Sequence, residues 1–168
     1  MNKDAMQLAE RALQHFTHKT TDQPGATMEI PLSAYRDEAQ YGREIDRVFK
    51  RLPLAVALSL ELPEAGSYRA MTLLGVPLLL VRGDDLKVRA MLNVCRHRGA
   101  KLCEDGAGNK RIIACPYHAW TYHLDGRLGG APHMEGVAAF AREDLGLAEF
   151  RGESGEGFLF GNLDGKAA

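Results

Sequence analysis

Two short segments of this chain each offer one thiol and one imidazole that could bind a metal. Cys95 and His97 form the first pair, and Cys115 and His118 form the second. Thiolate sulfur and imidazole nitrogen are typical protein ligands of zinc, copper and iron–sulfur centres. Four such ligands on two segments are far more specific than one pair, so they predict a metal centre rather than unrelated buried thiols and surface imidazoles.

The order of the ligands distinguishes two kinds of metal centre. Structural zinc sites usually take their cysteines from one C-x2–4-C segment and their histidines from one H-x3–5-H segment. Here each segment is mixed, as in a 2Fe–2S centre in which two cysteines hold one iron and two histidines hold the other. The spacing favours such a one-electron centre, and a zinc-stabilised structural module is the alternative.

Composition limits the class of protein. The chain has 168 residues, 45% hydrophobic residues, 26% charged residues and a formal net charge of −1, values typical of one globular domain. This charge argues against nucleic-acid binding, which needs an excess of Lys and Arg.

The longest apolar stretches, Val76–Val81 and the broken run Leu52–Leu62, are shorter than the ~20 residues that span a membrane. Because the N-terminus lacks a secretory signal and the three cysteines are odd in number, we expect a cytoplasmic protein.

Hydrophobic periodicity predicts two helices before Pro53. The first helix begins near Asp4 and carries an alanine-rich face that ends at Phe16. The second helix begins after Asp37 and ends before Pro53, which cannot continue it. The apolar stripe of this second helix consists of Tyr41, Ile45, Val48, Phe49 and Leu52.

Short strands are predicted from Leu54 onward, where the hydrophobic pattern shortens and turn residues are closely spaced. We expect an antiparallel sandwich or barrel, in which a helical arm, 1–52, precedes a metal-binding domain, 53–168. Gly75 and Asp125–Gly126 mark hairpin turns. The predicted strands are 67–74, 77–81, 87–94, 111–114, 120–124, 127–128 and 157–163.

The residues around the four ligands resemble the Rieske domain of ring-hydroxylating oxygenase α subunits. The stretches CRHRGA at 95–100 and CPYHAW at 115–120 carry the likeness, together with Tyr122 and the segments Leu92–Val94, Gly106–Asn109 and Gly157–Asp164. The resemblance covers roughly residues 35–164. It implies a mainly β fold with N-terminal helices, a Rieske-type antiparallel β-sandwich that carries one 2Fe–2S cluster on two loops. The implied cluster ligands are Cys95, His97, Cys115 and His118, and the implied neighbours are Arg98, Trp120 and Tyr122.

Other Rieske families resemble this chain less. The Rieske proteins of bc-type complexes carry a further cysteine in each loop, joined as a disulfide, where this chain has Ala100 and Tyr117. High-potential Rieske sites place a serine hydroxyl two residues after the second ligand histidine, where this chain has Trp120. The resemblance therefore implies a low redox potential. Small Rieske ferredoxins resemble only the strand-rich part, and a stand-alone electron carrier of that kind is the alternative function.

The family resemblance implies a two-part oxidoreductase. A ferredoxin or reductase supplies electrons to the Rieske cluster, which passes them to a mononuclear Fe(II) site in a C-terminal catalytic domain. Two histidines and one carboxylate hold that second iron, and we find no such ligand set in this sequence. This chain is therefore expected to act as an enzyme only as part of a larger dioxygenase, with a role in aromatic hydrocarbon catabolism. His118 is the expected exit for the electron, toward a catalytic domain or a neighbouring α subunit.

The charge of segment 95–118 and the other histidines and cysteine are not assigned to a metal site. Segment 95–118 carries five basic and two acidic residues, a balance of +3, which suits an acidic docking partner and an ordinary solvated surface equally. We expect His15 and His18 at a solvated helix end, His123 on a sheet surface, His133 in a loop and Cys103 as a small buried apolar side chain.

Overall fold

The computed structural model of the chain describes residues 3–134, 136–137, 140–155 and 157–163. Asp164 and the rest of the predicted domain end, 164–168, lie outside the described residues. The chain divides into two compact units, Met1–Asp37 and Glu38–Ala168. The functional division between a helical arm and a metal-binding domain at residue 52 stays a prediction.

The first unit contains the helix α1, Lys3–His18, and a short 3-10 helix, Leu32–Tyr35. The first predicted helix is confirmed, although Asp4 lies within its first turn and not at its cap. No residue of α1 is buried. His15 lies in the last turn, where its ring nitrogen is 2.9 Å from the carboxylate of Asp22. The predicted solvated helix end therefore also carries a contact that closes the following loop.

The second predicted helix is only partly α-helical. It consists of α2, Glu38–Glu44, followed by a π-helix, Ile45–Phe49. The wider π turn interrupts the 3.6-residue period that predicts one continuous helix. The predicted apolar stripe is not packed into a core, because Tyr41 is 60% exposed and Leu52 is exposed as well. Across the described residues, none of the helices has the length and apolar content that a membrane crossing requires.

Antiparallel strands are the main regular elements of the second unit. Seven of them form one sheet and three form another, and 3-10 helices at Ser59–Glu61 and Arg142–Leu145 lie in the connections. The described strands are β1 (Leu54–Leu58), β2 (Ser67–Leu73), β3 (Val76–Arg82), β4 (Val88–Leu92), β5 (Gly106–Asn109), β6 (Ile113–Ala114), β7 (Thr121–Tyr122), β8 (Leu128–Gly130), β9 (Glu149–Gly155) and β10 (Phe158–Asn162). The larger sheet has the order β1-β10-β9-β4-β3-β2-β5, and the smaller has the order β6-β7-β8. The predicted mainly β fold with N-terminal helices is confirmed.

The hairpin β2–β3 is confirmed at the predicted turn. Leu74 and Gly75 both have positive φ angles, of 51° and 82°, as the tightest hairpin turns require. In β3, Leu79 faces the main core, whereas Leu80 belongs to a second cluster on the other face of the sheet. The strand is buried on both faces, which explains its continuous apolar run.

The main core lies between the two sheets. Leu79 and Met91 of the larger sheet belong to the same buried cluster as Ile113 and Tyr122 of the smaller sheet. All three cysteines belong to this cluster. Cys103 is buried, as predicted, and burial raises the pKa of its thiol, which therefore stays uncharged. The packing that joins the sheets thus also buries the cysteines of the candidate site.

Three strands, β1, β5 and β9, have no counterpart among the predicted strands, although the strand-rich region is expected to begin at Leu54. The strand β5 has the sequence GAGN and is exposed throughout, so it carries no hydrophobic signal and exists through backbone pairing with β2. The strand β9 contains two glycines and three charged residues, and its pairing with β10 and β4 defines it. The predicted strand 120–124 is shorter than expected, because an irregularity between Thr121 and Tyr122 shifts its register against β8.

Candidate metal centre

Two loops of the second unit share one backbone hydrogen-bond pattern, and each carries a predicted Cys–His pair. In the first loop, the N–H of Cys95 donates to the carbonyl of Ala100 at 2.8 Å. In the second loop, the N–H of Cys115 donates to the carbonyl of Trp120 at 2.7 Å. The residue before each acceptor donates back to the carbonyl of its cysteine, at 2.9 and 3.1 Å. Each cysteine therefore begins a tight loop that returns the chain past its histidine.

The fifth residue of each loop has a left-handed backbone conformation. The φ angle is 72° at Gly99 and 58° at Ala119. Glycine adopts this conformation freely, whereas an L-residue pays about 1–2 kcal/mol. We expect Ala119→Gly to raise the free energy of unfolding by up to about 1 kcal/mol, since the more flexible unfolded chain offsets part of the gain. Urea unfolding of both proteins measures this difference, and a less stable glycine variant would contradict this account of the second loop.

The two loop thiols lie in the protein interior. Cys95 is 2% exposed and Cys115 is 5% exposed, and both are free thiols. Burial is the largest cause of the raised pKa of Tyr122, followed by its hydrogen bond with Cys95 and by the charges of Cys95 and Cys115. Both sulfur atoms are therefore shielded from water and act on the same tyrosine.

The hydroxyl of Tyr122 joins the two loops. Tyr122 lies in β7, directly after the second loop. Its hydroxyl oxygen accepts the N–H of Arg96, in the first loop, at 3.0 Å. The Sγ of Cys95 lies 3.2 Å from the same hydroxyl. Because the raised pKa keeps Tyr122 protonated, its O–H can donate to a Cys95 thiolate. Such a bond stabilises negative charge on the sulfur.

The two histidine rings lie next to each other. The centroids of His97 and His118 are 4.7 Å apart, with ring planes at 71°. Partial burial, followed by the charges of His97 and Arg98, lowers the pKa of His118. The lower pKa favours the neutral imidazole, which is the form that binds a metal. Arg98, predicted beside the ligands, is itself exposed and acts here through its charge.

Trp120 covers one face of His97. The two rings are stacked, with centroids 4.7 Å apart and planes only 9° apart, and Trp120 is buried. Phe140 lies edge-on to the indole, with centroids 5.8 Å apart. This aromatic layer shields the first histidine from water. Phe140 lies far from both loops along the chain, so nothing in the sequence assigns it to the site.

The side of the site at His118 faces solvent. The ring of Tyr117 lies against the ring of His118, with centroids 3.7 Å apart, and Tyr117 is 61% exposed. Arg96 is exposed nearby in the first loop. In the sequence, Tyr117 only excludes a disulfide, although its place directly before the predicted ligand His118 is a signal for a contact between the two rings. The site therefore has a buried cysteine end and a more open histidine end.

His15, His18 and His133 lie where the sequence predicts them, whereas His123 is exposed but does not lie on a strand. His15 and His18 lie in the last turn of α1. His123 is exposed directly after β7, and His133 is exposed in a loop.

The residues of this site fit a cluster with two irons. The Nδ1 atom of His97 and the Nε1 atom of Trp120 are buried without a hydrogen-bond partner, although buried polar atoms nearly always have one. A metal at the imidazole nitrogen and an acceptor near the indole would satisfy both. Within the described residues, no three His, Cys, Asp or Glu side chains surround one common ion position. Two thiols and two imidazoles are the donor set of a Rieske cluster, in which each iron takes two protein ligands.

Comparison with known proteins agrees with this geometry. The family described as "Rieske [2Fe-2S] domain" matches residues 53–141. The carnitine monooxygenase oxygenase subunit of Escherichia coli (strain K12) is 39% identical over 144 residues, which cover 86% of this chain and 38% of that protein. The biphenyl 2,3-dioxygenase subunit alpha of Rhodococcus jostii (strain RHA1) is 34% identical over 134 residues, which cover 79% of this chain and 29% of that protein. The crystal structure of the apo form of a quaternary ammonium Rieske monooxygenase has a TM-score of 0.75 at 34% identity, covering 83% of this chain and 41% of that one.

The chain belongs to the Rieske [2Fe-2S] domain family, and a Rieske-type 2Fe–2S cluster is the cofactor of this domain. Within that family it is similar to the N-terminal portion of Rieske oxygenase α subunits. It spans 38% of the length of the carnitine monooxygenase subunit. The expectation of aromatic hydrocarbon catabolism is not specifically supported, because these relatives include a carnitine monooxygenase subunit as well as a biphenyl dioxygenase subunit.

Proposed function

We propose that this chain transfers electrons through a Rieske 2Fe–2S cluster, as the N-terminal part of an oxygenase α subunit. The observation that carries the proposal is the pair of equivalent loops, each with one buried thiol and one imidazole, around the unpartnered Nδ1 of His97. When bound, the cluster takes up and releases one electron at a time. Cys95 and Cys115 would hold one iron, and His97 and His118 would hold the other.

The two ends of the site suit different tasks. The buried cysteines and the hydroxyl of Tyr122 hold and shield negative charge, away from water. The more open histidine end brings His118 and Tyr117 to the surface. We infer that His118 is the exit for the electron. By resemblance to the family, its receiver is a mononuclear iron site of a catalytic domain, in the same or a neighbouring α subunit.

Charge near the histidine end suits an acidic electron donor. Arg96, Arg98 and Arg111 are exposed around the two loops. Lys101 is paired instead, with Asp105 at 3.1 Å. Exposed positive charges steer a negatively charged partner toward its docking position. A ferredoxin or a reductase with an acidic surface is the donor that we propose.

The exposed helix stripe favours the oxygenase-subunit proposal over a stand-alone carrier. An independent electron carrier would be expected to cover its own apolar helix residues with its own core. Tyr41, Phe49 and Leu52 are exposed instead, as expected for a face that another domain or subunit covers. Reaction, substrate and oligomeric assembly belong to the larger protein, and enzyme activity is proposed for that whole only. The cytoplasmic location expected from the cysteine count remains a prediction.

A redox titration followed by EPR tests the proposed function. Stepwise reduction of the purified chain should produce a rhombic Rieske signal after uptake of one electron per chain. Because Trp120 stands in place of a hydroxyl donor, the midpoint should lie in the lower part of the Rieske range of about −150 to +300 mV. A midpoint near the top of this range would contradict the low-potential assignment, and a chain that takes up no electron would contradict the function.

Removing the hydroxyl of Tyr122 should lower the redox potential. The variant Tyr122→Phe keeps the buried ring and loses the hydrogen bond to Cys95, which stabilises the more negative reduced state. One hydrogen bond of ~1 kcal/mol corresponds to about 40 mV for a one-electron couple. Tyr117→Phe is the matched control, because its hydroxyl belongs to an exposed ring beside a different ligand. Equal midpoints in the two variants would contradict the role of Tyr122.

A further inference from the structure

A buried amide holds the far end of the first loop. Asn93 lies two residues before Cys95 and is 0% exposed. Its Oδ1 accepts the N–H of Leu102 at 3.2 Å and the N–H of Cys103 at 3.0 Å. Its Nδ2 donates to the carbonyl of Cys103 at 2.7 Å. One side chain therefore fixes the backbone of residues 102–103 through three hydrogen bonds.

The backbone of Asn93 is itself fixed to the larger sheet. Its N–H donates to the carbonyl of Pro77 at 2.9 Å, and the N–H of Leu92 donates to the carbonyl of Ala148 at 2.9 Å. The start of the first loop is thus anchored by the sheet, and its end is anchored by the Asn93 side chain. Because this side chain is fully buried, water cannot replace its hydrogen bonds when it is removed.

The two ends of the second loop are held together by a strand pair and not by a side chain. There, β6 and β7 pair directly before and after the loop, through Ile113 with Tyr122 and Ala114 with Thr121. The first loop has only the isolated bridge between Val94 and Lys101 at the corresponding place. The amide of Asn93 therefore does for the first loop what a strand pair does for the second.

We propose that Asn93 is a positioning residue for the cluster, a role that rests on the proposed function. It holds the first loop in its ligand geometry before iron and sulfide bind, so that Cys95 and His97 meet the metal in a fixed arrangement. Outer groups that orient metal ligands commonly change metal affinity by about 10–100-fold when they are removed. The amide is an unusual member of this class, since it acts on the loop backbone and not on a ligand side chain.

The test compares Asn93→Ala with Asn162→Ala in the cluster-loaded chain. Asn162 is also a buried asparagine, and its Nδ2 donates to the carbonyl of Arg51 at 3.0 Å, in another part of the same unit. After a chelator is added, the decay of visible absorbance gives the rate of cluster loss. We expect Asn93→Ala to lose its cluster about tenfold faster or more, and to shift the g-values of the remaining rhombic EPR signal. Asn162→Ala should match the original protein in both measurements.

Hydrogen exchange keeps the proposal testable if Asn93→Ala does not fold. In the unsubstituted chain without iron, the amides of Leu102 and Cys103 should exchange as slowly as amides of the larger sheet. Rapid exchange at these two positions would show that the loop is not held beforehand and would overturn the proposal. Equal cluster loss and equal g-values in Asn93→Ala and Asn162→Ala would also overturn it. A chain that binds no cluster even without substitution would instead contradict the proposed function.

Discussion

Replacing His118 by alanine should leave the protein folded but without its cluster. The side chain is partly exposed and lies outside the main core, so its removal leaves the sheets intact. One iron would then have only His97 as a protein ligand, which is too few to retain it. Iron and acid-labile sulfide should fall to near zero in His118→Ala, and electron transfer should be lost with them. Circular dichroism of the same sample reports whether the β fold is kept.

The matched control for this variant is His123→Ala. His123 is an exposed histidine that follows the same loop by a few residues, so it controls for the loss of an imidazole at the surface. We expect His123→Ala to keep full iron and sulfide content. An intact cluster in His118→Ala would show that this histidine is not a ligand and would remove the proposed electron exit.

Gly66→Ala should cause one of the largest losses of stability among single-methyl additions in this chain. Its φ angle is 85°, and an added Cβ would lie 2.6 Å from the backbone carbonyl oxygen of Lys110. The N–H of Lys110 donates to Gly66 at 2.9 Å, so the two backbones cannot separate without losing this bond. Backbone strain of about 1–2 kcal/mol and crowding of about 1–3 kcal/mol should add. The free energy of unfolding, measured in urea, should fall by about 2–5 kcal/mol.

Gly75→Ala isolates the backbone part of this effect. Gly75 has nearly the same φ angle, 82°, but an added Cβ would meet no atom within 4 Å. This control should therefore lose only about 1–2 kcal/mol. Equal losses in the two variants would show that crowding between the added Cβ of residue 66 and the carbonyl oxygen of Lys110 costs no stability.

The candidate site is predicted from residue types alone, whereas the elements that carry it depend on the fold. Cysteine and histidine have specific metal chemistry, so two mixed pairs predict a ligand set without any knowledge of the fold. The hairpin at Gly75 is equally local, since a glycine between two apolar segments predicts the turn. These features depend on neighbouring residues in the chain, and both are visible before the structure is known.

Features that depend on distant residues are not predictable in this way. The strand β5 has no apolar residue beyond one alanine and is defined by its pairing with β2. The π-helix Ile45–Phe49 has an apolar pattern that also suits an α-helix. Asn93 lies in a segment that resembles the family, but only its contacts with Leu102 and Cys103 reveal how its side chain holds the first loop. Pairing with a distant strand decides β5, and side-chain contacts across the first loop decide the place of Asn93.

Metal and sulfide analysis tests the central claim most directly. The chain, purified without oxygen, should contain two irons and two acid-labile sulfides per polypeptide. On reduction it should give a rhombic EPR signal, and both the metal and the signal should disappear in His118→Ala. Zinc without sulfide in the purified chain, together with no EPR signal after anaerobic reconstitution, would contradict the assignment of Cys95, His97, Cys115 and His118 to a Rieske cluster.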